Sequence, residues 1–141
     1  MGGAWGSREA EMRGQSAAKA GPRRASSKEI RGPIDLDHLR KQTLGDSGLE
    51  MEVLRLFDEM THVYYGRLET STTVADLLSN LHTLKGAAAG VGAFGLAELA
   101  RVAEAELRAG APVNPERIDD LHVAVEELSS FISARLEQQA A

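Results

Sequence analysis

The stretch of sequence that decides the fold is TVADLLSNLHTLKGAAAGVG, residues 73–92. Its leucines recur every three or four residues, which is the spacing of one face of an α-helix. His82 stands inside this pattern, with Lys85 and Gly86 three and four residues further on. A glycine in a helix interior costs about 1 kcal/mol relative to alanine. The stretch therefore predicts a helix in which something beside His82 needs space.

Helical spacing continues on both sides of this stretch. From Ile34 onward, no run alternates with the period of two that is typical of a strand. We expect a short helix from Asp35 to about Gly45 and then four longer helices. Capping or breaking residues mark where the longer helices begin: Asp46 or Ser47, the capping box of Thr73 and Asp76, the interruption at Gly92 and Gly95, and Asn114 before Pro115. Because short connections make consecutive helices antiparallel, the predicted fold class is all-α, an antiparallel up-down four-helix bundle with a short additional N-terminal helix.

Apolar stripes indicate which face of each long helix is buried. On the first long helix the stripe comprises Leu49, Val53, Phe57, Met60, Tyr64 and Leu68. On the next it comprises Leu77, Leu81, Leu84 and Ala88. At roughly 100° per residue, His82 lies about 120° from the middle of the second stripe, so its ring is expected to point toward solvent. Lys85 and Gly86 border the space beside this ring.

Composition limits the function classes. The chain of 141 residues contains no cysteine, which excludes disulfides, thiolate metal sites and cysteine nucleophiles. Residues 1–31 carry a net charge of +4, and residues 32–141 carry −9. We predict a disordered basic tail at 1–32 and one bundle domain at 33–139. The acidity of the domain disfavours nucleic-acid binding, and no long apolar run indicates a membrane segment, so we expect a cytoplasmic protein.

The residues HTLKGAAAGVGA, 82–93, resemble the signature of histidine-containing phosphotransfer (HPt) domains, in which H-x-L-K-G is followed by small residues and a later glycine. Gly92 stands where that later glycine is expected. The flanking helices are also similar to those of the family, so the resemblance covers about residues 33–139. It implies a phosphorelay intermediate that carries a phosphoryl group on Nε2 of His82. Lys85 would assist the phosphorylated state, and Gly86 would leave room for a partner.

The resemblance also implies partners and cofactors. Such a domain receives its phosphoryl group from an upstream sensor or hybrid histidine kinase, or from a receiver aspartate, and passes it to the aspartate of a response-regulator receiver domain. No cofactor or metal would be bound by this chain, and Mg²⁺ would belong to the receiver. The expected protein is a monomer, whose partner-binding surface around His82 comprises Ala75, Ser79, Thr83, Lys85, Gly86 and Ala89.

Glu104 departs from the family pattern. Some relatives have a glutamine across from the histidine on the following helix, and ungapped counting places Glu104 there in this chain. A carboxylate could orient the imidazole of His82 by accepting a hydrogen bond from a ring N–H, yet it would repel a phosphoryl group. Glu104 is therefore predicted as a supporting residue whose charge the phosphotransfer hypothesis does not require.

Two other functions stay open. A helical adaptor could dock receiver domains without carrying phosphate. A carboxylate-bridged di-metal bundle would need paired Glu-x-x-His motifs that point inward, for which Glu59 with His62 and Asp119 with His122 are the available pairs. Helical phase directs these pairs away from the apolar stripes, which counts against the metal site. We interpret His62 and His122, like His38, as surface histidines without a role.

Overall fold

The structure, a computed structural model, describes residues 32–140. Within this range the chain forms five helices and no strand, which confirms the all-α class. The helices are α1 (Leu36–Gln42), α2 (Ser47–Thr70), α3 (Val74–Val91), α4 (Phe94–Arg108) and α5 (Pro115–Ala140). None of the five is both long enough and apolar enough to cross a membrane. The predicted disordered tail lies outside the described residues, apart from Gly32.

Side-chain caps begin the helices close to where the sequence predicts them. Asp35, Asp46 and Thr73 each accept a hydrogen bond from the backbone N–H three residues further on. At the start of α5, the side chain of Asn114 accepts from the N–H two residues further on, at 3.0 Å. Each bond satisfies one of the N–H groups that a helix leaves without an internal partner at its N-terminus.

Helices α2 to α5 form the bundle. α3 packs against α2 and α4, α5 packs against the same two helices, and α1 contacts α3. The buried apolar side chains converge on one core, which includes Leu54, Phe57, Leu77, Leu81, Leu84, Ala88, Leu96, Ala100, Leu121, Val125, Leu128 and Ile132. α3 therefore turns its leucine stripe toward the core and leaves its opposite face free on the outside of the bundle.

The buried stripe predicted for α2 is wrong in part. Its core residues are Leu54, Phe57, Thr61 and Leu68, whereas Val53, Met60 and Tyr64 pack at the edge of the core and Leu49 is 46% exposed. Glu50 explains the rotation. Its carboxylate is buried and accepts a hydrogen bond from Arg135 of α5 at 2.8 Å, so the buried face of α2 includes Glu50 and not the neighbouring Leu49.

One predicted helix boundary is also shifted. The sequence predicts an interruption at Gly92 and Gly95 before the fourth helix, but α4 begins at Phe94, so Gly95 lies in its first turn. The reversal between α3 and α4 is made by Gly92 and Ala93 alone. A connection this short holds α3 and α4 side by side, so that side chains of the two helices can contact each other.

Candidate functional site

His82 lies on the outer face of α3, with its ring toward α4. Its side chain is 65% exposed, whereas Leu81 and Leu84 on the same helix are fully buried. This placement follows from the helical phase. His82 comes one residue after Leu81 and two before Leu84, so it lies on the flank of the helix and not on its buried face. The structure thus presents the imidazole to solvent on the α3–α4 side of the bundle.

Glu104 of α4 lies at the centre of the site. Its side chain is only 5% exposed, and its oxygen Oε2 is 3.2 Å from Nδ1 of His82. The other oxygen, Oε1, is 2.7 Å from Nζ of Lys85. Arg108, one helical turn further along α4, donates to Oε2 from Nε at 3.1 Å and from Nη2 at 2.8 Å. One buried carboxylate therefore joins the histidine to two cations.

The protonation of this group follows from its contacts. The hydrogen bond from Lys85, with further hydrogen bonds from Arg108 and His82, outweighs the effect of burial and lowers the pKa of Glu104 to about 2. At neutral pH the carboxylate is therefore ionised and can only accept hydrogen bonds. The hydrogen between it and the His82 ring must then be on Nδ1, so the neutral ring carries its free lone pair on Nε2.

Lys85 does not stand free beside the ring. The sequence predicts it as a positive charge available to a phosphoryl group, but the structure places Nζ in an ion pair with Glu104. About a third of the Lys85 side chain stays exposed. Its charge is therefore compensated in this structure, and its contact with the histidine runs through the carboxylate.

Arg108 is a site residue that the sequence reasoning missed. A signal for it existed, because a residue four positions after a helical carboxylate lies on the same face of the helix. Following Glu104 forward by one turn would have found it. The signal is weak by itself, since a helical pair of this kind is common on protein surfaces and contributes little there.

The predicted partner-binding residues form one exposed row along α3. Ala75, Ser79, Thr83, Gly86 and Ala89 are all exposed, and Lys85 is half-buried. A Cβ atom added at Gly86 would meet no atom within 4 Å beyond its two chain neighbours and the backbone of its own helix. No packing contact within the described domain therefore requires this glycine, and the space above it is open to an approaching molecule.

Gly92, the second predicted supporting residue, has a structural role. It ends α3 in the left-handed conformation, with φ of 93°, which side chains other than glycine rarely adopt. Its carbonyl accepts a hydrogen bond from the N–H of Asp35 at 2.9 Å, and a Cβ on it would lie 2.9 Å from the Asp35 carbonyl oxygen. Gly92 thus closes α3 and joins it to the start of α1, away from the imidazole.

The residue pairs considered for a di-metal site do not assemble. Among residues 32–140, no three His, Asp or Glu side chains stand in an arrangement that could hold a metal ion. His62 and His122 both face Glu126, with Nε2 to Oε2 distances of 4.0 and 3.8 Å. His38 instead packs on Phe94 and contacts the backbone carbonyl of Gly90.

Comparisons with known proteins agree with this site. The family model described as Hpt domain matches residues 48–131, a range that includes His82, Lys85, Gly86, Glu104 and Arg108. Among solved structures, the chain is similar to the histidine phosphotransferase ShpA from Caulobacter crescentus, with 30% sequence identity and a TM-score of 0.60. That match covers 77% of this chain and 95% of ShpA. No curated protein matches the sequence. Since the family match spans more than half of the chain, the protein belongs to the Hpt domain family, and its role is histidine phosphotransfer in a phosphorelay.

Proposed function

We propose that this protein carries a phosphoryl group on Nε2 of His82 between other components of a two-component phosphorelay. The donor would be an upstream sensor or hybrid histidine kinase or a receiver aspartate, and the acceptor would be the aspartate of a response-regulator receiver domain. The observation that supports this most strongly is the contact between Nδ1 of His82 and the buried carboxylate of Glu104. It leaves Nε2 free of this contact, on a side chain that is 65% exposed.

Each transfer requires one bond to form and one to break. When a receiver donates, the Nε2 lone pair forms a bond to phosphorus while the bond between phosphorus and the aspartyl oxygen breaks, which returns a free carboxylate to the receiver. The reverse transfer restores the neutral imidazole. No proton has to leave Nε2 in either direction. The ring hydrogen stays on Nδ1, from which Glu104 accepts a hydrogen bond.

This chemistry also gives the charge of Glu104 a purpose. When Nε2 bonds to phosphorus and Nδ1 keeps its hydrogen, the ring becomes positively charged. A carboxylate that accepts the Nδ1–H bond stabilises that charge, and its own repulsion of the phosphoryl group is offset by Lys85 and Arg108. A carboxylate is therefore also suitable at this position, where some relatives of the HPt family have a glutamine.

The partner would contribute the remaining chemistry. We propose that a receiver docks on the row of Ala75, Ser79, Thr83, Lys85, Gly86 and Ala89, whose small and mostly uncharged side chains suit a transient interface. This chain would bind no cofactor of its own, and the Mg²⁺ needed for the aspartyl phosphate would belong to the receiver. We also propose that the protein acts as a monomer in the cytoplasm.

A matched pair of histidine variants tests the proposal. The protein is incubated with a receiver domain that carries a radiolabelled aspartyl phosphate, and label on the chain is measured together with its stability in acid and alkali. We expect acid-labile, alkali-stable label on the wild type and on His62→Gln, whose histidine is also exposed on a bundle helix. His82→Gln should carry none.

Two results would contradict the proposal. Label that persists in His82→Gln would place the phosphoryl group elsewhere. Receiver binding without any transfer, at an affinity that does not depend on phosphorylation, would favour the adaptor function instead. Circular dichroism of His82→Gln should match that of the wild type, because the exposed ring contributes nothing to the buried core.

A further inference from the structure

Helices α2 and α5 together form an exposed face on the side of the bundle away from His82. α3 packs against α2 and α4, and α5 packs against the same two helices, so the α2–α5 side lies opposite the α3–α4 side. The α2–α5 face comprises Asp58, His62, Tyr65 and Glu69 of α2 with Asp119, His122 and Glu126 of α5. A molecule bound there would not meet the imidazole of His82.

Two histidines of this face approach one carboxylate. Nε2 of His62 is 4.0 Å from Oε2 of Glu126, and Nε2 of His122 is 3.8 Å from the same oxygen. All three side chains are about half exposed or more. The two rings belong to different helices, so a single bound group between them would contact both α2 and α5.

The contact of Nδ1 decides what the His62 ring offers at Nε2. Nδ1 lies 2.9 Å from the backbone carbonyl oxygen of Asp58. Because a carbonyl oxygen can only accept, Nδ1 carries the hydrogen of the neutral ring. Nε2 of His62 then keeps its lone pair and is itself an acceptor, directed at a carboxylate that is also an acceptor.

The His122 ring is held in the same tautomer. Its Nδ1 lies 3.2 Å from the hydroxyl oxygen of Tyr65. Burial, with the charge of Glu69 and a hydrogen bond to its carboxylate, raises the pKa of Tyr65. The hydroxyl therefore donates its one hydrogen to Glu69 and accepts from Nδ1–H of His122. Two ring nitrogens and a carboxylate oxygen thus face one another, and no hydrogen-bond donor of residues 32–140 lies between them.

The charge of the face has one sign. Its four carboxylates are those of Asp58, Glu69, Asp119 and Glu126. Among the ion pairs of residues 32–140, none joins these carboxylates to a lysine or an arginine, although Glu52, Glu98 and Glu106 are each paired in that way. In the same range no three acidic or histidine side chains could hold a metal ion. The acceptors therefore suit a larger cation that carries several N–H donors.

An apolar groove of about 440 Å³ opens at one end of the same face. Its apolar lining includes Leu68, Leu77, Val113 and Ile118, and the exposed carboxylates of Glu69 and Asp119 border it. Val113 is 45% exposed, which leaves an apolar side chain partly uncovered at the groove. Asp119 precedes Glu126 by two turns of α5, so the groove and the histidines are about 10 Å apart.

We propose that the α2–α5 face binds a basic segment of a partner protein, in which an arginine bonds to the two histidines and Glu126 and an apolar side chain fills the groove. A guanidinium has five N–H donors in a fixed plane and no acceptor, so it can satisfy all three acceptors at once. A separation of about 10 Å corresponds to three residues of an extended chain. Such a partner binds across the bundle from the receiver, and both can be bound together.

The test uses a short peptide with this spacing. The ¹⁵N-labelled full chain is titrated with leucine-glycine-glycine-arginine, blocked at both ends, and followed by NMR. We expect shifts at the end of α2, at the start of α5 and in the ring nitrogens of His62 and His122, while the His82 ring stays unchanged. A peptide with neutral citrulline in place of arginine should bind roughly tenfold more weakly. A lysine peptide should lie between the two.

Matched variants assign the binding to this face. Glu126→Gln should weaken binding roughly fivefold, which is the upper range for an exposed ion pair. Glu98→Gln removes the same charge from α4 and should leave the affinity unchanged. His122→Ala should bring the affinity of the arginine peptide closer to that of the lysine peptide. Val113→Ser should weaken the leucine peptide but not one with glycine in place of leucine.

Four results would overturn the proposal. These are equal affinities for the arginine and citrulline peptides, and an absence of shifts at peptide concentrations up to about 10 mM. Equal weakening by Glu126→Gln and Glu98→Gln would mean that the peptide responds only to the net charge of the domain. Displacement of the peptide by a receiver would place it on the α3–α4 side instead. The ¹⁵N spectrum of each variant shows directly whether its fold is intact.

Discussion

Two stretches of this chain place a glycine four residues after a histidine: HVYYG at 62–66 and HTLKG at 82–86. Both lie on long helices, and both histidines are exposed on the outside of the bundle. Each also faces a glutamate of a neighbouring helix, Glu126 of α5 in the first case and Glu104 of α4 in the second. The histidine, the glycine and a nearby carboxylate are therefore common to both.

The two sites differ in which ring nitrogen meets the carboxylate. Nδ1 of His62 lies 2.9 Å from the backbone carbonyl of Asp58, and its Nε2 faces Glu126 at 4.0 Å, too far for a hydrogen bond. In His82 it is Nδ1 that contacts the carboxylate, at 3.2 Å. Nε2 of His82 thus makes no hydrogen bond or ion pair within residues 32–140, whereas Nε2 of His62 is directed at an acidic side chain of its own domain.

The carboxylates differ as well. Glu126 is 62% exposed and, among the ion pairs of residues 32–140, contacts no lysine or arginine. Glu104 is buried and bonds to two cations. Three residues after the histidine, one stretch has Lys85 and the other has Tyr65. Tyr65 contacts His122 instead. A buried carboxylate that is paired with two cations, rather than an exposed histidine, therefore distinguishes the candidate site.

The largest effect that separates the two stretches should come from their glycines. Gly86→Gln places a long side chain over the open space beside His82, and we expect transfer from a phosphorylated receiver to fall by roughly a hundredfold, because displacing the docked receiver by about an ångström is enough for such a loss. Gly66→Gln should leave transfer unchanged, since a Cβ there also meets no atom within 4 Å and the surface is not used. Transfer rates from a labelled receiver make the measurement.

The same two variants contain their own control for folding. Replacing a helical glycine raises helix propensity by about 0.5 to 1 kcal/mol, so both proteins should unfold at a slightly higher temperature than the wild type. Phosphorylation by phosphoramidate should change little in either. Equal transfer rates for Gly86→Gln and Gly66→Gln would mean that the receiver docks away from this face.

The features that could be predicted from the sequence were those that depend on a single helix. The periodicity of α3 and its cap at Thr73 are local, and the outward direction of His82 follows from them. The ion pair of Lys85 with Glu104 was not predictable, because it depends on how α3 packs against α4 and not on the sequence of either helix alone. The same reason applies to Arg108, which becomes important only because Glu104 is buried.

The wrong stripe on α2 has a related cause. Apolar residues occupy two adjacent faces of this helix, so periodicity alone does not decide which face is buried. The choice depends on Glu50, which a polarity pattern assigns to the surface. Its burial is possible only because Arg135, 85 residues later in the chain, supplies the opposite charge. The predictions of the core and of the site were therefore incomplete for the same reason, since neither could include ion pairs between different helices.

A smaller effect should separate the two carboxylates. Glu104→Ala removes the acceptor that holds the hydrogen on Nδ1 of His82, and we expect transfer from a receiver to fall roughly tenfold, the loss that corresponds to one hydrogen bond with a charged group. Glu126→Ala should not change it. Glu104→Gln should lie between Glu104→Ala and the wild type, because an amide oxygen can accept the same bond. The tautomer of His82, read from ¹⁵N NMR, should change in parallel with the rate. An unchanged rate in Glu104→Ala would remove this carboxylate from the site.

The smallest expected effect concerns stability in acid. The hydrogen bond from Lys85, with those from Arg108 and His82, lowers the pKa of Glu104 from 4.5 to about 2, so its ionised form stabilises the folded state. This contribution is fully present above the unfolded value of 4.5 and is lost as the pH falls through about 2. Because Lys85 and Arg108 are partly exposed and solvent screens their charges, we expect a loss on the order of 1 kcal/mol. Denaturant unfolding between pH 5 and 2 should therefore give a flatter decline for Glu104→Gln than for the wild type, whereas Glu126→Gln should follow the wild type. Parallel curves for all three proteins would mean that the charge of Glu104 does not stabilise the fold, and the carboxylate would then have to be retained for the chemistry of His82 alone.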